Sequence, residues 1–135
     1  YAVNPSTGTV GNALTDNTWY DATGNVIKQL PAGAKLFSKF SYDGLARRTK
    51  EHRGYDLDES SYAEASSVSD DTLLEQILTT YDAASNVIQT EHRKRYHNAT
   101  GTGELNGPGG TQPKSRITYA ANWQDGIGRT VATAN

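Results

Sequence analysis

Apolar and polar residues alternate over short stretches of this chain rather than recurring every three or four positions. Lys39-Phe40-Ser41-Tyr42 and Ile117-Thr118-Tyr119 change character from one residue to the next, the period that sends neighbouring side chains to opposite faces of a β-strand. Each stretch runs into a cluster of Asp, Gly and small residues. It then emerges into β-branched or charged ones, as in Asn25-Val26-Ile27-Lys28 and Asn86-Val87-Ile88-Gln89. The pattern predicts strand, short turn, strand. Asp opens the turn because its carboxylate accepts from backbone N–H groups one or two residues on. Gly or Asn then supplies the positive φ that tightens the reversal. The fold class expected is all-β, an antiparallel sheet of consecutive β-hairpins, twisted or spiralling, with a repeat or solenoid-like character.

The hairpin pattern recurs four times. Its copies are Trp19-Tyr20-Asp21-Ala22-Thr23-Gly24-Asn25, Ser41-Tyr42-Asp43-Gly44-Leu45-Ala46-Arg47, Thr80-Tyr81-Asp82-Ala83-Ala84-Ser85-Asn86 and Trp123-Gln124-Asp125-Gly126-Ile127-Gly128-Arg129. Two copies share a tail, Glu51-His52-Arg53 and Glu91-His92-Arg93. A period of about twenty residues with two insertions accounts for the spacing. The insertions fall near 54–71, rich in Ser, Asp and Glu, and near 97–114, which holds Gly107-Pro108-Gly109-Gly110. Both read as exposed loops. Residues 1–135 are thus expected to form a single array of about four units. Ser69 to Leu78 is ambiguous, because Thr72 and Glu75 fit a helix capping box while Leu74 to Tyr81 leads straight into a turn. A strand from about Leu74 to Tyr81 is the expectation.

The Tyr-Asp-x-x-Gly-Asn pattern of Tyr20 to Asn25 resembles the YD repeat of RHS proteins, which is shared with the extracellular part of teneurins and with bacterial toxin-complex shells. Tyr81, Asp82 and Asn86 match it with Ser85 in the glycine place. Tyr42, Asp43, Gly44 and Arg47, and likewise Asp125, Gly126, Gly128 and Arg129 after Trp123, resemble its Asp-Gly-Leu-Gly-Arg variant. The likeness covers about Asn17 to Thr133 apart from the insertions. It implies a segment of a very large secreted or surface protein whose repeats form a spiralling sheet closed into a hollow shell. The chain is too short to close a shell and lacks the Asp-Pro-rich self-cleavage region of that family. The expected function is therefore a non-catalytic structural segment of an extracellular or bacterial cell-surface protein, pairing strands between units in a shell or filament. The alternative is an adhesion module whose exposed aromatics and two long loops recognise a glycan, a surface receptor or another protein.

Composition narrows the chemistry. Hydrophobic residues make up 35% of the 135-residue chain and mean hydropathy is −0.70. This is polar for a globular domain, so a thin core or an excised piece of something larger is expected. The net charge of −2 gives no electrostatic case for nucleic acid. No apolar run approaches the roughly 18–20 residues that span a bilayer. The chain begins with Tyr1 and reads as a mature product or a fragment. With no Cys, disulfides, thiolate metal sites and cysteine nucleophiles drop out together.

The remaining candidates are few, and neither a cofactor nor enzymatic activity is expected. His52 and His92 in their matched tails are a candidate shared metal or acid–base site, opposed by Arg53 and Arg93. Asp56, Asp58, Glu59, Asp70 and Asp71 are a candidate oxygen set for Ca²⁺, without EF-hand spacing. Asp21, Asp43, Asp82 and Asp125 suggest paired glycosidase carboxylates, but turn capping explains all four at once. Gly101-Thr102-Gly103 lacks the Lys and Ser/Thr of a phosphate loop. The run His92-Arg93-Lys94-Arg95 suits a charged sheet edge that discourages aggregation. Asn98-Ala99-Thr100 is a glycosylation sequon. Trp19, Tyr20, Tyr42, Tyr81, Tyr119 and Trp123 fit cross-strand packing or a sugar platform. Unpaired edges near Tyr1-Ala2-Val3 and Gly128 to Asn135 would favour association with further copies, which would stabilise a marginal monomer.

Overall fold

The computed structural model describes residues 3–11, 13–59 and 61–135. Eight strands follow one another: β1 (Asn17–Tyr20), β2 (Val26–Leu30), β3 (Phe37–Tyr42), β4 (Arg48–Tyr55), β5 (Thr72–Tyr81), β6 (Val87–Arg95), β7 (Ser115–Gln124) and β8 (Thr130–Ala134). One short helix, α1 (Tyr62–Ala65), lies between β4 and β5 among the described residues. Strand order across the sheet is strand order in the chain. Every neighbouring pair is antiparallel. The sheet is open, with β1 and β8 at its edges. The ambiguous segment is strand and begins two residues earlier than expected, at Thr72. Its pairing to β4 on one side and β6 on the other outweighs the local helix-start signal.

Register decides what each face carries. Trp19, Lys28, Lys39, His52, Gln76, Arg93 and Ile117 lie opposite one another in one row across β1 to β7. Directly opposed residues share a face. One face therefore presents four basic side chains and an amide where a sandwich would present leucines. Such a face is not buried by an apolar layer. It is covered instead by the two insertions.

The expectation of exposed loops at 54–71 and 97–114 holds for most of their described residues, but each segment also sends residues inward. Ala65 and Asp71 in the first, and Leu105 and Pro113 in the second, are buried, as is the side chain of Glu59. The two segments also meet, since Gly103 N donates to the Asp71 carbonyl. Their polar composition reads as loop, yet their carboxylates are what the basic row needs. Leu105 joins Phe37 and Leu73 in a small apolar cluster flanked by Leu30 and Val68. At the β4–β5 register shift, a Cβ on Gly54 would stand 2.5 Å from the Thr72 carbonyl oxygen, so only glycine fits there.

Two further expectations change. The run His92 to Arg95 lies on β6, between β5 and β7, and is not an edge. Of the expected N-terminal strand, Tyr1 and Ala2 lie outside the described residues, and Val3 forms an isolated bridge with Val10.

Candidate functional site

The four Asp-centred turns share one construction. In each, the Asp N–H donates to the carbonyl of the residue four on, and the Asp carbonyl accepts from the residue three on. Asp21, Asp43, Asp82 and Asp125 each use Oδ1 to accept from backbone N–H groups two and four residues on, at 2.8–3.0 Å. Oδ2 accepts from the side chain four residues on, at 2.7–3.0 Å, which is Asn25, Arg47, Asn86 or Arg129. The residue three after each Asp has positive φ: Gly24, Ala46, Ser85 and Gly128. A register shift follows each turn at the last strand residues. This is a four-residue turn closed by a one-residue bulge. Asn25 and Asn86 are not the positive-φ residues expected of them; they grip the carboxylate instead. Nor do Gly44 and Gly126 carry positive φ, which falls on Ala46 and Gly128.

The hydrogen bonds explain the acidity of these groups. Asp21 is held down at about 2, chiefly by the Thr23 hydroxyl and the Asn25 amide. The Arg47 side chain lowers Asp43, and the Asn86 amide lowers Asp82. Asp125 is lowered first by the Arg129 backbone N–H and then by its guanidinium. All four are acceptors committed to their own turns. A glycosidase acid would need a carboxyl pushed upward, and none of these is.

Because the turns join β1–β2, β3–β4, β5–β6 and β7–β8, they lie along one end of the sheet. They are tied sideways. The Tyr42 hydroxyl donates to the Val26 carbonyl of the preceding hairpin at 2.8 Å, and Tyr81 donates to the Arg48 carbonyl at 2.9 Å. Both acceptors stand six residues after the tyrosine of their own hairpin. Arg47 also reaches forward: its Nη1 donates to the Asp82 carbonyl and the Ser85 hydroxyl, and its guanidinium lies 4.7 Å from the Tyr81 ring centre. In the fourth hairpin Gln124 stands at the tyrosine position. Trp123 there pairs across the strand as Trp19 does in the first. Asn122 Nδ2 takes the equivalent carbonyl, that of Val87.

Under the insertions lies the second cluster. Lys28 Nζ pairs with Glu59 at 2.5 Å. Lys39 Nζ meets Glu59 at 3.2 Å and Asp71 at 2.8 Å, and donates to the carbonyls of Glu64 and Ser67. Asp56, Glu59 and Asp71 gather their carboxylates within 4.8 Å, but the lysine ammonium already stands among oxygens where Ca²⁺ would have to sit. Burial raises Asp71 above its ordinary value, and Lys39 opposes this. Further along the row, Glu104 is held at about 2, first by the His52 imidazole at 3.7 Å and then by Lys50 and Gln76, against the cost of burial. The Gln76 side-chain Oε1 in turn accepts from Leu105 N. Arg93 and Arg95 bind the carbonyls of Leu105, Ala99 and Gly101, so the basic run fastens the second insertion. Sequence reasoning missed Lys28, Lys39, Gln76 and Glu104, whose partners are set by tertiary approach.

The remaining candidates separate. His52 sits opposite Gln76, whereas His92 sits opposite Ile77. The two histidines therefore lie on opposite faces and share no site. Tyr42 and Tyr81 spend their hydroxyls within the sheet. Trp19 lies under the Lys28 ammonium at 4.8 Å, while Tyr119 and Trp123 remain half-exposed on β7. Asn98 is exposed in a turn. Among the described residues no helix is long and apolar enough to cross a membrane. No family model matches the chain, and no curated protein matches it significantly.

Proposed function

We propose that this chain is a structural, non-catalytic segment of the RHS/YD-repeat kind, part of an extracellular or bacterial cell-surface assembly, and that its hairpins are repeated units of a longer sheet. The observation that carries the reading is the likeness of the four turns: the same carboxylate hydrogen bonds and the same positive-φ position, with a side-chain tie to the preceding hairpin in the second, third and fourth. Elements built alike and stacked side by side bury in their neighbours what none can bury alone. The carboxyls whose acidity is shifted each hold a turn or an insertion in place.

A second reading, recognition of a glycan, rests on Tyr119 and Trp123. They are half-exposed and on the same face of β7, two rings of the kind that stack on sugars. Titrating the chain with a panel of oligosaccharides while following tryptophan emission separates the two. The structural reading expects no saturable change. A saturable response abolished by Trp123→Ala overturns it in favour of a binding module.

A further inference from the structure

We propose that Lys28 and Glu59 condense once the chain has folded, closing an isopeptide bond between β2 and the first insertion, and that Asp56 carries the proton. The proposal goes beyond the structural reading above and does not rest on it. The reaction occurs once per chain and has no turnover. The side chains of Lys28 and Glu59 are 5% and 4% exposed, and Nζ stands 2.5 Å from Oε2. Yet this Oε2 makes no hydrogen bond among the described residues. The approach has the distance of such a bond without its alignment.

The surroundings of Lys28 differ from those of Lys39. An ammonium carries three donors. Lys39 places its own on Asp71 and on the carbonyls of Glu64 and Ser67. Among the described residues Lys28 has Glu59 and two ring faces, Trp19 at 4.8 Å and Phe37 at 4.9 Å. Moving one proton within the pair removes both buried charges together. It leaves an amine against a carboxyl group. Groups held in contact in this way react with effective molarities of about 10⁵–10⁸ M.

Two neighbours complete the set. Lys39 Nζ lies 3.2 Å from the same Oε2, a fixed positive charge where negative charge builds as the amine adds. Asp56 gathers with Glu59 and Asp71 within 4.8 Å, and it lines the same cavity as Lys28 and Glu59. Asp71 is committed to Lys39, which leaves Asp56 to move the proton. The step balances without a co-reactant. Glu59 Oε1 takes one proton of the ammonium. Nζ then adds to Cδ, Asp56 takes a second proton from the nitrogen and delivers it to Oε1, and the Cδ–Oε1 bond breaks. One water departs, and nothing is oxidised or reduced. The new bond pins the first insertion at Glu59 alone. The Asp71 end and the second insertion stay held by non-covalent contacts.

The test is the intact mass of the purified chain, denatured before mass spectrometry, with circular dichroism confirming that the sample was folded. The expected mass is lower than that of the sequence by one water. After trypsin, peptide 1–35, uncut after Lys28, should appear joined to peptide 54–93. Lys28→Arg keeps the positive charge and should show the full mass of its own sequence. Asp56→Asn keeps the acceptor for Asp58 N and should leave most chains unlinked. A folded, unsubstituted chain at full mass overturns the proposal. So does a water loss that persists in Lys28→Arg or maps to a succinimide at Asp43-Gly44 or Asp125-Gly126, and so does full linkage in Asp56→Asn.

Discussion

Replacing Lys39 by Met should cost this protein about 4 kcal/mol, because the side chain does four things at once in a closed space. Lys39 is 2% exposed. Its ammonium pairs with Asp71 at 2.8 Å, approaches Glu59 at 3.2 Å, and donates to the Glu64 and Ser67 carbonyls at 2.9 and 2.7 Å. Methionine keeps most of the apolar stem and removes only the charged end. Glu59 retains Lys28, but Asp71 is left buried without its cation. Stranding one partner of a buried pair costs about 3–5 kcal/mol, and each abandoned carbonyl adds about 1 kcal/mol, less whatever water entry recovers. With a urea m value of about 2 kcal/mol/M, the midpoint should fall by about 2 M. The pH dependence is a second readout. Asp71 already titrates above 3.8 because of burial, and losing Lys39 raises it further. A carboxyl whose folded value is raised favours the folded state at low pH, and that contribution is lost as pH rises through the folded value. The deficit of Lys39→Met should therefore shrink as pH falls toward 3.8. Adding Asp71→Asn should remove this pH dependence and restore much of the stability. A loss below about 1 kcal/mol, or a deficit that does not change with pH, would refute the reasoning.

Four other substitutions probe the turns, the covering layer and the packing. Ala46 and Ser85 hold φ of 58° and 68°, so Ala46→Gly should raise stability by about 0.5–1 kcal/mol in thermal unfolding. Ser85→Gly should gain nothing, because it also deletes the 3.0 Å bond from Arg47 to the Ser85 hydroxyl. Glu104 is lowered from 4.5 to about 2, so its contribution is present above the higher value and fades as pH falls toward the lower one. Glu104→Gln should flatten the acid limb of the stability–pH curve in that window. Gly54→Ala forces a Cβ against the Thr72 carbonyl and should cost about 1–3 kcal/mol, with faster amide exchange confined to β4 and β5.

Much of the fold was legible because its signals are local. Alternation marked the strands, and Asp with a small residue three on marked all four turns, since that geometry closes within five residues. Even the failure of the histidine pair was written in the spacing. Glu51-His52-Arg53 begins nine residues after Tyr42, and Glu91-His92-Arg93 begins ten after Tyr81. One residue reverses the face in a strand. The covering layer was not legible. Nothing near Lys28 or Lys39 announces Glu59 or Asp71, and Glu104 lies 54 residues from Lys50. Segments rich in Ser, Asp and Gly read as solvated because composition does not reveal that a basic sheet face will draw them down.

The meander order of the sheet bears on how the molecule forms. Every strand pairs only with its neighbours in the chain, and all the reversals except β4–β5 and β6–β7, which close over the insertions, span short loops and lose little chain entropy. Local pairing of this kind favours zippering outward from a tight hairpin that closes first. The two covering segments are the exception, since their ion pairs bridge distant parts of the sequence. Their docking should therefore be the late step in assembly and the first undone, with amide exchange fastest over the polar row beneath them.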